Sequence, residues 1–191
     1  MNPIDEHAVR QLLDRQAIWD ALLKYTRGMD RLDRDLVIDA FHPDAIDDHC
    51  VIAGTREDIA DSGMTMHRAE NRKTHHCLTN HYCELDGDTA STETYFVYFG
   101  AQQEGPTDVL GGRYLDDLER RNGEWRISRR LCFIEWSSSL PEGEATGTSA
   151  SLGALEAMAD PRSRRSREDA SYIRPLPVKT AQEDRIKRSV T

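Results

Sequence analysis

The chain has 191 residues, 38% hydrophobic and 31% charged, with a formal net charge of −9. That length suits one domain with an appendage, and an acidic balance without a basic face in the first two thirds argues against nucleic acid or an anionic membrane surface as partner. No apolar run reaches the length of a membrane span, and Met1-Asn2-Pro3-Ile4-Asp5-Glu6 lacks the basic and apolar regions of a signal peptide, so a cytoplasmic protein with its four cysteines reduced is expected.

Val9, Leu12, Leu13, Ile18, Leu22 and Tyr25 recur at near-helical spacing with charged residues between them, which predicts a first helix with Asp5 as its N-cap. Gly28 is placed to end or loosen that helix just before Asp30. A short second helix is predicted around Leu36–Phe41, stopping near Pro43. Ala45 to Ile52 reads as a strand closed by Gly54, and Arg56 to Arg72 as a third helix. Four strand-like runs follow: Thr74 to Leu85, Thr89 to Ala101, Leu110 to Arg121 and Glu124 to Trp136. Asp86-Gly87-Asp88 and Asn122-Gly123 mark tight hairpins between them. Helices first and an antiparallel meander later predict an α+β fold, a long curved antiparallel or mixed sheet with N-terminal helices packed on it, forming a cone with an open mouth. From Ser137 the chain turns rich in Ser, Gly, Pro, Arg and Glu. A domain over 1–136 is therefore expected, with a polar extension over 137–191 that is disordered or an oligomer-contacting arm, where only Leu152, Leu155 and Met158 hint at a helix.

Chemistry-bearing residues concentrate at two places. Asp30 follows the apolar stripe of the first helix, with Tyr25 a little over one turn earlier, so both could face the cone; Asp30 could equally serve as a helix cap. His75 and His76 open the meander, and neighbours on a strand face opposite ways, so one of them is expected to line the cavity. Parity does not choose between them, because long curved strands carry bulges. A carboxylate and an imidazole meeting in an apolar chamber form a general base that needs neither metal nor cofactor. His49, His75 and His81 are the candidates for a competing metal site, but no spacing matches a compact zinc or iron signature. No G-x-S-x-G, phosphate loop or dinucleotide fingerprint occurs. Gly111-Gly112 is read as a bend or bulge in its strand. Trp125 and Trp136 alternate with Arg126, Arg129 and Arg130 along the last strand, read as core aromatics against solvated arginines; an arginine facing the cavity would instead stabilise developing negative charge.

In combination these motifs resemble the SnoaL-like branch of the nuclear transport factor 2-like superfamily. The resemblance rests on Tyr25-x-x-x-x-Asp30, on Phe41-x-x-Asp44-Ala45, on His76-x-x-Thr79-Asn80, on Gly111-Gly112-x-Tyr114 and on Trp125-x-x-Ser128, and covers roughly Leu12 to Trp136. It is nearest to the cofactor-free lyases and dehydratases: hexachlorocyclohexane dehydrochlorinase, scytalone dehydratase and bile-acid 7α-dehydratase. It implies a cone-shaped, cystatin-like α+β barrel, often a dimer or trimer, and an Asp–His dyad that maps onto Asp30 and His76, with Tyr25 where the bile-acid branch has a tyrosine. The relatives also place an arginine deep in the last strand; the corresponding positions here are Phe133 or Ile134.

The resulting expectation is a cofactor-independent lyase. His76 takes a proton from a small, largely apolar, aromatic or polycyclic substrate, Asp30 fixes its tautomer, and Tyr25 bonds a substrate oxygen. His49, Tyr95, Tyr114 and Trp136 are expected to line the substrate site, with no metal and no cofactor. Two alternatives use the same cone: an isomerase, and a non-catalytic assembly module such as the small subunit of ring-hydroxylating dioxygenases.

Overall fold

The structure, a computed structural model, describes residues 4–140 and 162–177. The chain divides into two units, 1–144 and 145–191.

In the first unit, helix α1 spans Glu6–Arg31 and starts where the Asp5 carboxylate accepts hydrogen bonds from the backbone N–H groups of His7 and Ala8. Its packed stripe runs through Asp14, Ile18, Leu22, Tyr25 and Met29. Val9, Leu12 and Leu13, expected in that stripe, are exposed. Asp14 is buried because Trp125 Nε1–H donates to it at 2.9 Å and Arg120 at 3.0 Å.

Gly28 does not end α1. The helix runs on to Arg31 and closes with Leu32 in the left-handed region at φ 52°. Gly28 instead permits close approach: a Cβ there would lie 2.6 Å from Val37 Cγ2 on α2 (Arg34–Asp39). Asp30 thus sits in the last turn of α1 rather than beyond it.

Strand β1 (Phe41–His49) begins earlier than expected and contains Pro43, which is tolerated because the register breaks between Phe41 and Ile46. β2 (Ile52–Thr55) leads into α3 (Arg56–Glu70) through a capping box between Thr55 and Asp58. The meander follows as β3 (Asn71–Asp86), β4 (Thr89–Gln102), β5 (Thr107–Arg121) and β6 (Glu124–Leu140). The β5–β6 turn carries Asn122 at φ 56° and Gly123 at φ 85°, the positive pair that a two-residue hairpin requires. The six strands form one curved mixed sheet in the order β2-β1-β6-β5-β4-β3, open rather than closed into a barrel. Only the β1–β6 pair is parallel. Helices α1 and α3 pack on the sheet, α1 against β3 and β6, α3 against β1, β2 and β3. β6 does not stop at Trp136: Ser137–Leu140 continue it, paired with Thr107–Leu110.

In the second unit the described residues hold one 3₁₀ turn, Ala170–Tyr172, with Asp169 as N-cap. Leu152, Leu155 and Met158 lie outside the described residues.

Candidate active site

The last turn of α1 meets the start of β3. His76 Nδ1 lies 2.7 Å from Asp30 Oδ1, and the backbone N–H of His76 donates to Asp30 Oδ2 at 3.0 Å. One carboxylate therefore fixes both the backbone and the ring of the same residue. Burial pushes the Asp30 carboxyl upward, but the hydrogen bonds and charge of His76 and a hydrogen bond from Thr74 outweigh it, holding the group below its ordinary value. An ionised carboxylate only accepts, so Nδ1 carries a proton, and in the neutral imidazole Nε2 keeps its lone pair.

His76, not His75, faces inward. The alternation through Thr74 (buried), His75 (exposed) and His76 (half-buried) is regular, and the ladder shifts only on either side of it, at Asn71/Lys73 and Leu78/His81. The ring of His76 lines a cavity of about 510 Å³ together with His67, Phe96, Tyr98, Tyr114 and Cys132, with Ser137–Ser139 contributing from the end of β6. A larger trough of about 840 Å³ lies along other parts of the sheet, lined by Ile46, Tyr82, Leu115, Arg129 and Leu131 among others, but no histidine or cysteine reaches it.

The other expected site residues divide. His49 and Tyr114 line the cavity, with His49 Nδ1 3.2 Å from Asp47 Oδ1. Tyr25 does not line it. It is 1% exposed, edge-on to Phe41 and Tyr114, with the Arg130 guanidinium 4.3 Å from its ring centroid. Burial first, then the nearby Asp47, pushes its hydroxyl well above the ordinary phenol value, so it stays protonated. Tyr95 is 39% exposed and pairs with Arg113 on the opposite face from Phe96 and Tyr98, because strand parity sends 95 outward and 96 and 98 inward. Trp136 is 50% exposed and lies over Gly111, where a Cβ would fall 2.1 Å from its ring. Gly111 and Gly112 do flank a register shift against β6.

The expectation of solvated arginines fails at Arg130. It is fully buried, its guanidinium paired with Asp116, its neighbour across the ladder, at 2.6 and 2.9 Å and packed between the rings of Tyr25 and Tyr114. Asp116 balances the charge, and Arg130 is not among the residues that line the His76 cavity.

The metal candidates are not brought together. His49 bonds Asp47, His75 is exposed, and His81 bonds Thr94 Oγ1 at 2.8 Å. Among the described residues, no three His, Cys, Asp or Glu side chains converge as a metal site.

Residues 10–131 match the SnoaL-like domain family. The chain belongs to the SnoaL-like family. Solved structures share the fold of this SnoaL-like domain. A scytalone dehydratase-like protein of Novosphingobium aromaticivorans is 18% identical with a TM-score of 0.62, over 71% of this chain and 97% of that one. A hexachlorocyclohexane dehydrochlorinase, LinA type 2, is 19% identical with a TM-score of 0.66, over 73% and 97%. An aromatic-ring-hydroxylase-like protein of N. aromaticivorans is 27% identical with a TM-score of 0.61, over 67% and 94%. No curated protein sequence matches the chain.

Most of the cavity lining of this SnoaL-like domain is not marked in the sequence, His67 and Tyr98 among it. His67 lies on the buried stripe of α3 with Ile59, Ala60, Gly63 and Met64, a helical spacing visible in the sequence. Tyr98 is the direct ladder partner of His76, a relation that only the β3–β4 register reveals.

Proposed function

We propose that this protein is a cofactor-independent lyase in which His76 Nε2 is the general base and Asp30 its orienting partner. The observation that carries the reading is the part-buried Asp30–His76 pair, whose imidazole lines a chamber that side chains leave open. With Nδ1–H held by the carboxylate, proton abstraction creates an imidazolium whose charge Asp30 balances. Val51, Met66, Phe96, Leu110 and Ile134 give the lining an apolar part that suits a small apolar substrate, and His49 and Tyr114 line the same cavity. The relatives named for dehydratase and dehydrochlorinase chemistry support elimination as the reaction class. A domain serving only as an assembly scaffold has no need of an imidazole clamped at both Nδ1 and the backbone beside an open cavity. Tyr25 acts from below, fixing Tyr114 and Arg130, rather than on substrate.

The test uses 5-nitrobenzisoxazole, a small aromatic probe that opens by base-catalysed loss of its C–H proton and reports through the nitrophenolate formed. Turnover by the full chain should fall about 100- to 10,000-fold in His76→Ala, with an unchanged circular dichroism spectrum. A variant within about threefold of wild type would remove His76 as the base.

A further inference from the structure

The proposed base accounts for only one of the two protons an elimination must manage. If a hydroxyl leaves carbon, its oxygen must be protonated, since hydroxide departs poorly. We propose that Tyr98 is the acid that protonates the departing oxygen and that His67 is the residue that positions it. This rests on the reading of His76 as the base.

Tyr98 and His67 are the titratable residues whose rings touch that of His76, at centroid distances of 4.8 and 5.6 Å. All three line the same cavity. Base and acid therefore stand side by side on one wall, on adjacent strands, held there by direct pairing of His76 with Tyr98 in the ladder. Removal of a proton and an oxygen from the same side of neighbouring carbons requires base and acid on one wall in this way. His67 Nδ1 lies 3.1 Å from the Tyr98 hydroxyl oxygen. Both side chains are buried, so the hydroxyl is aimed by His67 rather than by bulk water. Gly100 supplies the room: a Cβ there would lie 2.7 Å from that hydroxyl.

Three other polar groups of the lining are already engaged. Asp108 accepts a hydrogen bond from Gln102 Nε2, Tyr114 is stacked on Phe96, and His49 is held by Asp47.

The step balances without an external reactant. His76 Nε2 takes the proton, and the C–H electron pair becomes the new π bond. The C–O bond breaks with its pair going to oxygen, which takes the Tyr98 proton and leaves as water. With His67 in its Nδ1–H tautomer, the phenolate accepts that N–H hydrogen bond until the imidazolium of His76 returns a proton to it, restoring both residues.

A leaving-group comparison tests this on the full chain. The probes are 5-nitrobenzisoxazole, whose nitrophenolate departs unaided, and unsubstituted 1,2-benzisoxazole, whose more basic phenolate oxygen gains from an acid. Tyr98→Phe should slow the unsubstituted probe about 100-fold and the nitro probe by less than about fivefold. His67→Leu should reproduce that difference, and His67→Asn, which keeps an N–H near the place of Nδ1–H, should restore most of it. Equal losses on both probes in Tyr98→Phe would make the residue a packing element and overturn the proposal, as would no loss on either. Failure of the base reading looks different: His76→Ala would then leave both probes turning over.

Discussion

Asp30 accepts from three donors at once, the His76 ring, the His76 backbone and Thr74, and its ionised form is what all three prefer. Because its folded pKa is lowered, its contribution to stability is complete above the unfolded carboxylate value of about 3.9 and is lost as pH falls through the lower folded value. Asp30→Asn should therefore cost about 2 kcal/mol at pH 7, as expected for hydrogen bonds to a charged group. The gap between variant and wild type should close progressively below about pH 4. Urea titrations of both proteins at pH 7 and pH 3 measure it; a gap that stays constant would show that the charge is not what anchors β3. Local pattern brings Asp30 and the His75–His76 step to the helix end and the meander start, but the choice of His76 comes from the family resemblance, and the cavity walls are not legible. Tyr95 to Phe99 is aromatic or aliphatic at every position, so no alternation marks which residues face in. Sequence pattern therefore points to Tyr95 where Tyr98 lines the chamber.

At the scale of elements, the limits of a local reading show at Gly28. Within a helix, glycine is worth about 1 kcal/mol less than alanine, so propensity alone predicts that Gly28→Ala stabilises the protein. The packing argues the reverse. The new Cβ would lie 2.6 Å from Val37 Cγ2 and 2.9 Å from the Val37 backbone nitrogen. The methyl group could rotate away, but the backbone cannot without shifting α2, and overpacking of this kind costs about 1–3 kcal/mol. The steric term should win: we expect a net loss of about 1 kcal/mol in chemical denaturation with an unchanged m-value. A more stable variant would mean that α2 is free to move. The same blindness to distant neighbours explains Arg130. Its flanking sequence, alternating arginine with apolar residues, reads as a solvated face, and only the cross-strand placement of Asp116 makes its burial tolerable.

At the scale of the whole molecule, the hairpin turns and the helix-then-meander order made the α+β class readable, because each is written in contiguous residues. The parallel β1–β6 pairing joins segments far apart in the chain, and no local signal marks it. Nor does composition mark the end of the sheet: the serines at 137–139 look like the start of a tail, yet they extend β6 and line the cavity. That difference is measurable. Among the described residues, the apolar core runs from Ile18 to Cys132. A chain ending at residue 140 keeps that core, every ladder pair of β6 and the cavity wall. It should unfold cooperatively within about 3 °C of the full chain and turn over 5-nitrobenzisoxazole at a comparable rate. A chain ending at residue 136 keeps the core but strips the pairing from Thr107–Leu110, exposing a strand edge beside the site. It should melt at least about 5 °C lower and lose probe turnover. Equal melting of the two truncations would place the boundary at Trp136 after all, and a large loss in the longer one would mean that residues beyond 140 support the fold.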